Sequence, residues 1–98
     1  MPARAAELHP EAIEDIRGAY DWYASRNALA ATAFLTEIEN AIAAVVARPD
    51  VWPRHLHGTR RFLLRRFPYS IVYRTKPSNL EVIAVAHARR RPGFWRAR

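Results

Sequence analysis

The chain contains no cysteine. That excludes disulfides, thiolate metal ligands and thiol nucleophiles together, and it fits a reducing compartment. Glycine occurs only as Gly18, Gly58 and Gly93, and these form no loop that cradles a phosphate. No run approaches the roughly 18 consecutive apolar residues of a membrane span. The start, "MPARAAELHPEA", lacks the apolar block of a signal peptide. The expectation is a cytoplasmic protein with no membrane contact. Lysine is almost missing too, with Lys76 alone, and the second half holds one acid, Glu81.

What is present is arginine, unevenly placed. Residues 1–50 carry 4 Arg and 8 Asp+Glu (4 − 8 = −4), and residues 51–98 carry 12 Lys+Arg and 1 Glu (12 − 1 = +11), which together make the net +7. Ordinary surfaces mix both signs. A surface with one acid among twelve bases is suited to an anion or an acidic protein. Half the residues are hydrophobic and 98 residues suffice for one modest core, so residues 1–98 read as a single domain.

The segment "RAAEL" reads as a short strand, although alanine favours strands little. In "HPEAIEDIRGAYDWYASRN", Pro10 suits a first helical position and Glu11, Glu14 and Asp15 complement the helix dipole. Ile13, Ile16, Tyr20 and Tyr23 recur on one face, and Asn27 reads as the terminator. A second helix, "LAATAFLTEIENAIAAVVARP", presents Phe34, Ile38, Ala41 and Val45 in a stripe that Leu35 and Ile42 widen, and Pro49 stops it. "ARPDVWPRHLHGT" has no period and reads as a connector. Three strands follow: "TRRFLLRRF", "YSIVYRT" and "LEVIAVAH", with Pro68 implying a bend or an edge. The order β-α-α-β-β-β predicts an α+β fold, a helical hairpin packed on one face of a small antiparallel sheet. Many of the arginines are expected on the other face.

Metal and cofactor chemistry finds no support. His55-x-His57 is too sparse for zinc without thiolates or nearby carboxylates. The serines Ser25, Ser70 and Ser78 lack an elbow motif. The acids lie on the helices, where solvated faces account for them. The basic half is more informative. Arg60, Arg61, Arg65, Arg66 and Arg74 fall in or beside strands and converge if they share a face, and Arg89, Arg90 and Arg91 extend the patch. Phe94 and Trp95 either offer a stacking surface for single-stranded RNA or fold back to cap the core. His87 adjoins the cations, which favour its neutral form. It either acts as a base or proton donor in metal-free RNA cleavage, or it makes a structural hydrogen bond at a strand end.

The stretches "HPEAIEDI", "DWYASRN", "FLTEIENAI", "RPDVWP", "RRFLLRRFPYSIVYR" and "VAHARRRPGFW" together resemble the RelE/ParE superfamily of toxins from type II toxin–antitoxin systems, over essentially the whole chain. The resemblance implies one of two activities. RelE-like members cut ribosome-bound mRNA without a metal, and Arg65, Arg74 and His87 are the nearest positional counterparts of their catalytic groups. ParE-like members inhibit DNA gyrase and are not nucleases. The chain lacks the lysine-rich second strand and the tyrosine after the last strand of the nuclease branch, and it has no glutamate in residues 51–80. "FPYSIVYR" and "HARRRPGFW" look more like the ParE-type, plasmid-stabilisation branch. The resemblance therefore implies a gyrase inhibitor, with the ribosome-dependent nuclease as the alternative. Either implies a cognate antitoxin with an acidic, flexible segment that folds on binding. Arg60, Arg61, Arg66, Arg89, Arg90, Arg91, Phe94 and Trp95 become candidates for target or antitoxin binding.

Overall fold

The structure is a computed structural model that describes residues 5–98. Its elements are β1 (Ala5–Leu8), α1 (Pro10–Ala24), α2 (Ala28–Ala47), β2 (Arg54–His55), β3 (Thr59–Leu63), β4 (Tyr69–Thr75) and β5 (Asn79–His87). The five strands form one sheet in the order β1-β5-β4-β3-β2. The expected α+β architecture is present, with three differences. The sheet is mixed, because β1 pairs parallel to β5 while every other pairing is antiparallel. The long connection that such a parallel pairing requires runs through the helical hairpin and then β2, β3 and β4. The connector contributes a short edge strand, β2, which lacked any period because it is two residues long. Finally, "TRRFLLRRF" does not run through as a strand: β3 ends at Leu63 and residues 65–68 bend.

Local chemistry explains the helix boundaries. The His9 Nδ1 accepts the Glu11 backbone N–H at 3.1 Å, and Pro10 follows it in the first turn. Asn27 does not terminate α1, which closes at Ser25; it opens α2 instead. Its Oδ1 accepts the N–H groups of Leu29 (2.9 Å) and Ala30 (3.3 Å), as an N-cap should. The stripe on α2 is as expected, with Phe34, Ile38, Ala41 and Val45 buried together with Ala31. By length and a mean hydropathy of 1.5, α2 is apolar enough to cross a membrane, yet this stripe packs on the sheet and Glu37 is ion-paired. On α1 the buried positions are Ala12 and Ala19, with Ile16 and Tyr23 packed beside them, and Ile13 faces outward. Small residues let α1 approach the sheet closely, so the larger Ile13 is displaced from the contact line.

The core lies between the helices and one face of the sheet. Phe34, Ile38 and Val45 meet Ile71, Tyr73, Leu80, Val82 and Val85 there. Tyr73 is wholly buried, and its hydroxyl donates to the Pro49 carbonyl at 2.6 Å. Burial pushes that phenol up to about 12. A bulge lies where the register steps from Val72↔Ala84 to Tyr73↔Val82, leaving Ile83 extra. Ile83 and Ala84 consequently both join a second cluster on the opposite face, with Val72 and Trp95.

Candidate functional site

The C-terminal turns after β5 close that opposite face. Trp95 is only 3% exposed and sits in the second cluster. Its ring is therefore part of the core, which fits the second of the two readings of Trp95, a fold-back that caps the core. The two histidines of His55-x-His57 help seat this segment. The His55 ring lies 5.2 Å from the Trp95 ring, and Gly93 abuts His57 so closely that an added Cβ would stand 2.9 Å from its Nε2. Gly93 has φ +81°, so both its conformation and its contact require glycine. Burial lowers the His55 pKa, with Arg61 and His57 adding to the effect.

An ion pair locks the same segment to α1. The Arg98 guanidinium donates to both carboxylate oxygens of Asp15, at 2.6 and 3.2 Å, and each side chain is 8% exposed. Asp15 also accepts the Val85 backbone N–H at 3.1 Å, and Arg98 donates to the Ile83 carbonyl at 3.1 Å. β1 ends at Leu8, opposite Val82, so among the described residues β5 has no strand partner beyond that point on this side. The pair satisfies backbone groups that a longer β1 would have satisfied. Arg90 approaches Asp15 at 3.7 Å and lies 3.7 Å over the Phe94 ring. Phe94 is half-buried under that guanidinium.

Glu37 on α2 is a second engaged acid. It accepts the backbone N–H groups of Arg65 and of Arg66 (3.1 Å) and the Arg66 Nε at 3.3 Å. Burial pushes its carboxyl up, but those donors outweigh it and hold the pKa below the ordinary carboxylate value. Asp15 and Glu37 thus correct the reading of the helical acids as solvated. Their partners lie 83 and 28–29 residues away in sequence, so no local pattern announced them.

Of the candidate catalytic residues, Arg74 and His87 are not brought together. Arg74 binds Glu81 through Nε and Nη2, both at 3.0 Å. His87 pairs with Tyr69 at the other end of β4, while Arg74 pairs with Glu81. Five residues of strand, at about 3.3 Å each, separate those positions by roughly 17 Å. Arg65 stands in the bend after β3, against α2, with its side chain in a groove of about 420 Å³ beside Asn40 and Phe62. The His87 Nδ1 accepts the Arg89 backbone N–H at 3.0 Å, a structural bond at the strand end, and its ring meets Tyr69 edge-on at 5.0 Å.

Other basic candidates divide between regions. Arg61 and Arg90 share with His55 and His87 a cleft of about 80 Å³ against Trp95. Arg60 lies near the β2 edge and donates to the Trp52 carbonyl at 2.7 Å. Arg89 and Arg91 are exposed, and neither enters an ion pair among the described residues. On the helical side lies a feature the residue pattern did not reveal, an aromatic cleft of about 440 Å³ lined by Trp22, Tyr23, Tyr69 and His87. Trp22 is 52% exposed, with the Arg26 guanidinium 3.8 Å over its ring. It is one position off the stripe that marked the helix, and that offset was the available signal.

Comparison with known proteins agrees with this architecture. A family model described as "ParE toxin of type II toxin-antitoxin system, parDE" matches residues 6–92. Among solved structures, a chain of the "Chromosomal ParDE TA system from P. aeruginosa" superposes with a TM-score of 0.77 at 18% identity, covering 87% of this chain and 96% of that one. No curated protein sequence matches. With the family model spanning nearly all of the described residues, the chain belongs to the ParE toxins of type II toxin–antitoxin systems.

Proposed function

We propose that the protein is a growth-inhibiting toxin that binds DNA gyrase in the cytoplasm and is neutralised by a cognate antitoxin with an acidic flexible segment. The observation that carries this reading is the separation of Arg74, committed to Glu81, from His87 at the other end of the β4–β5 pair. Proton transfer and phosphate stabilisation must act on one reacting centre within hydrogen-bond reach. A protein-binding poison needs only a surface, and Arg89 and Arg91 offer uncommitted cations there. The groove beside Arg65 and Arg66 likewise suits an acidic, partly apolar antitoxin segment, since its wall includes Phe62 and Ala41.

Two assays on one preparation test the proposal: gyrase supercoiling, and cleavage of ribosome-bound mRNA. The expected outcome is inhibition of supercoiling, relieved by the antitoxin, with intact mRNA. His87→Ala should retain inhibition. Cleavage that disappears in His87→Ala would establish the nuclease alternative instead.

A further inference from the structure

The aromatic cleft on the helical side lies apart from the surfaces assigned to gyrase and antitoxin. Tyr69 and His87 are directly opposed across β4 and β5, so their side chains share one face of the sheet. That face is the helix-covered one, since the Tyr69 ring lies 5.3 Å from Phe34 and 6.5 Å from Tyr23. Gly18 and Trp22 approach from α1, four residues apart and so on one side of the helix. All of them line a single cleft of about 440 Å³, within the size range of small-molecule sites, about 300–1,000 Å³.

The walls of this cleft are aromatic and its polar groups are donors. The Tyr73 hydroxyl has the Pro49 carbonyl as its acceptor, whereas among the described residues the hydroxyls of Tyr23 and Tyr69 have no hydrogen-bond partner. Burial raises both of those phenol pKa values, and Tyr23 adds to the effect at Tyr69, so both carry a proton at neutral pH. The His87 Nδ1 accepts the Arg89 N–H, so the neutral ring carries its proton on Nε2, a third donor. Among the described residues no carboxylate lines the cleft, which disfavours a cationic ligand. The Arg26 guanidinium lies over the Trp22 ring but does not line the cleft, so it steadies the indole without filling the space.

Gly18 is the least expected member of the group. After proline, glycine is the poorest residue for a helix interior. Gly18 has no positive φ that calls for it, and an added Cβ would meet nothing within 4 Å. Neither conformation nor packing within the chain accounts for it. Its missing side chain leaves an open floor beside Trp22.

We propose that this cleft binds the base of a free nucleotide. The base stacks on Trp22 above Gly18, and its acceptor edge takes hydrogen bonds from Tyr23, Tyr69 and His87. Arg89, exposed and without an ion pair among the described residues, is the nearest uncommitted cation along the chain for the phosphate. A planar ring bearing acceptors matches walls and donors together, and a nucleotide adds the negative charge that a basic surface attracts. The inference is independent of the gyrase reading.

The test is calorimetric titration of the full chain with AMP, UMP and ribose 5-phosphate at matched ionic strength. Saturable binding of a nucleotide is expected, with ribose 5-phosphate weaker by about tenfold or more, because it has no base to stack. Tighter AMP binding identifies a purine site and tighter UMP binding a pyrimidine site; both support the inference. Trp22→Ala should weaken binding by about tenfold or more, and Tyr69→Phe by a smaller factor. Gly18→Leu should keep or raise the thermal midpoint, since leucine is the better helix former, and should abolish binding by filling the cleft. Arg17→Gln on α1 should leave binding unchanged. Absence of saturation by both nucleotides, equal binding of ribose 5-phosphate, or undiminished binding by folded Gly18→Leu overturns the inference.

Discussion

The helix-covered face of the sheet and the face closed by residues 88–98 are both buried, but they are built from different materials. The first is held by interdigitated side chains from two helices, including Phe34, Ile38, Ile71, Tyr73 and Leu80. The second has four buried residues, Val72, Ile83, Ala84 and Trp95, under a segment of turns. A thin cluster supplies little hydrophobic stabilisation by itself, at about 25 cal/mol per Å² of apolar surface. The Asp15–Arg98 pair compensates, since it fastens the turns to α1 and fills the open edge of β5. One face is therefore governed by packing volume, and the other by a buried charge pair.

Substitutions should separate the two. Phe34→Ala empties the centre of the helical face and should cost about 4 kcal/mol in urea unfolding, without changing the pH profile. Asp15→Asn leaves Arg98 buried without a full counter-charge and the edge of β5 weakened. It should cost about 3 kcal/mol, and proteolysis should begin within residues 88–98. A loss as large as that of Phe34→Ala, with global unfolding and no selective opening, would show that the two faces are one cooperative unit.

Two smaller effects depend on pH. Glu37 has a native pKa below its unfolded one, so its contribution is present above the ordinary carboxyl value of 4.5 and fades as pH falls through the native pKa. Glu37→Gln should cost about 1 kcal/mol near neutrality and flatten the acid limb of the stability curve. His55 also has a lowered pKa. Here the unfolded chain takes up the proton first, so stability should fall as pH drops below the ordinary imidazole value of 6.5. His55→Gln should remove that slope, and because the ring rests on Trp95 the effect should accompany changes in tryptophan fluorescence.

Much of the helical face was legible because its signals are local. The spacing of Phe34, Ile38, Ala41 and Val45 repeats within one helix and needs no knowledge of its partner. Pro10 and Pro49 mark boundaries through the stereochemistry of a single residue. The outer face was not legible for the opposite reason. Trp95 among arginines looked equally suited to stacking on a base or to capping a core, and only contact with Val72 and Ile83 distinguishes the two. Asn27 carried the right chemistry for a helix end, but the hydrogen bonds it makes belong to the following helix.

The candidate site divides along the same line. The sequence by itself determined the charge asymmetry, the residue types available for binding and, through its motifs, the resemblance to the toxin superfamily. Charge and residue type are properties of single positions and survive any folding. The tertiary structure alone decided which arginines are committed. Arg98 and Arg66 are held by carboxylates, Arg74 is bound to Glu81, and among the described residues Arg54 and Arg60, opposed across β2 and β3, form no ion pair. Strand register and chain crossover set those distances, and electrostatic energy depends on distance and burial, neither of which the order of residues states.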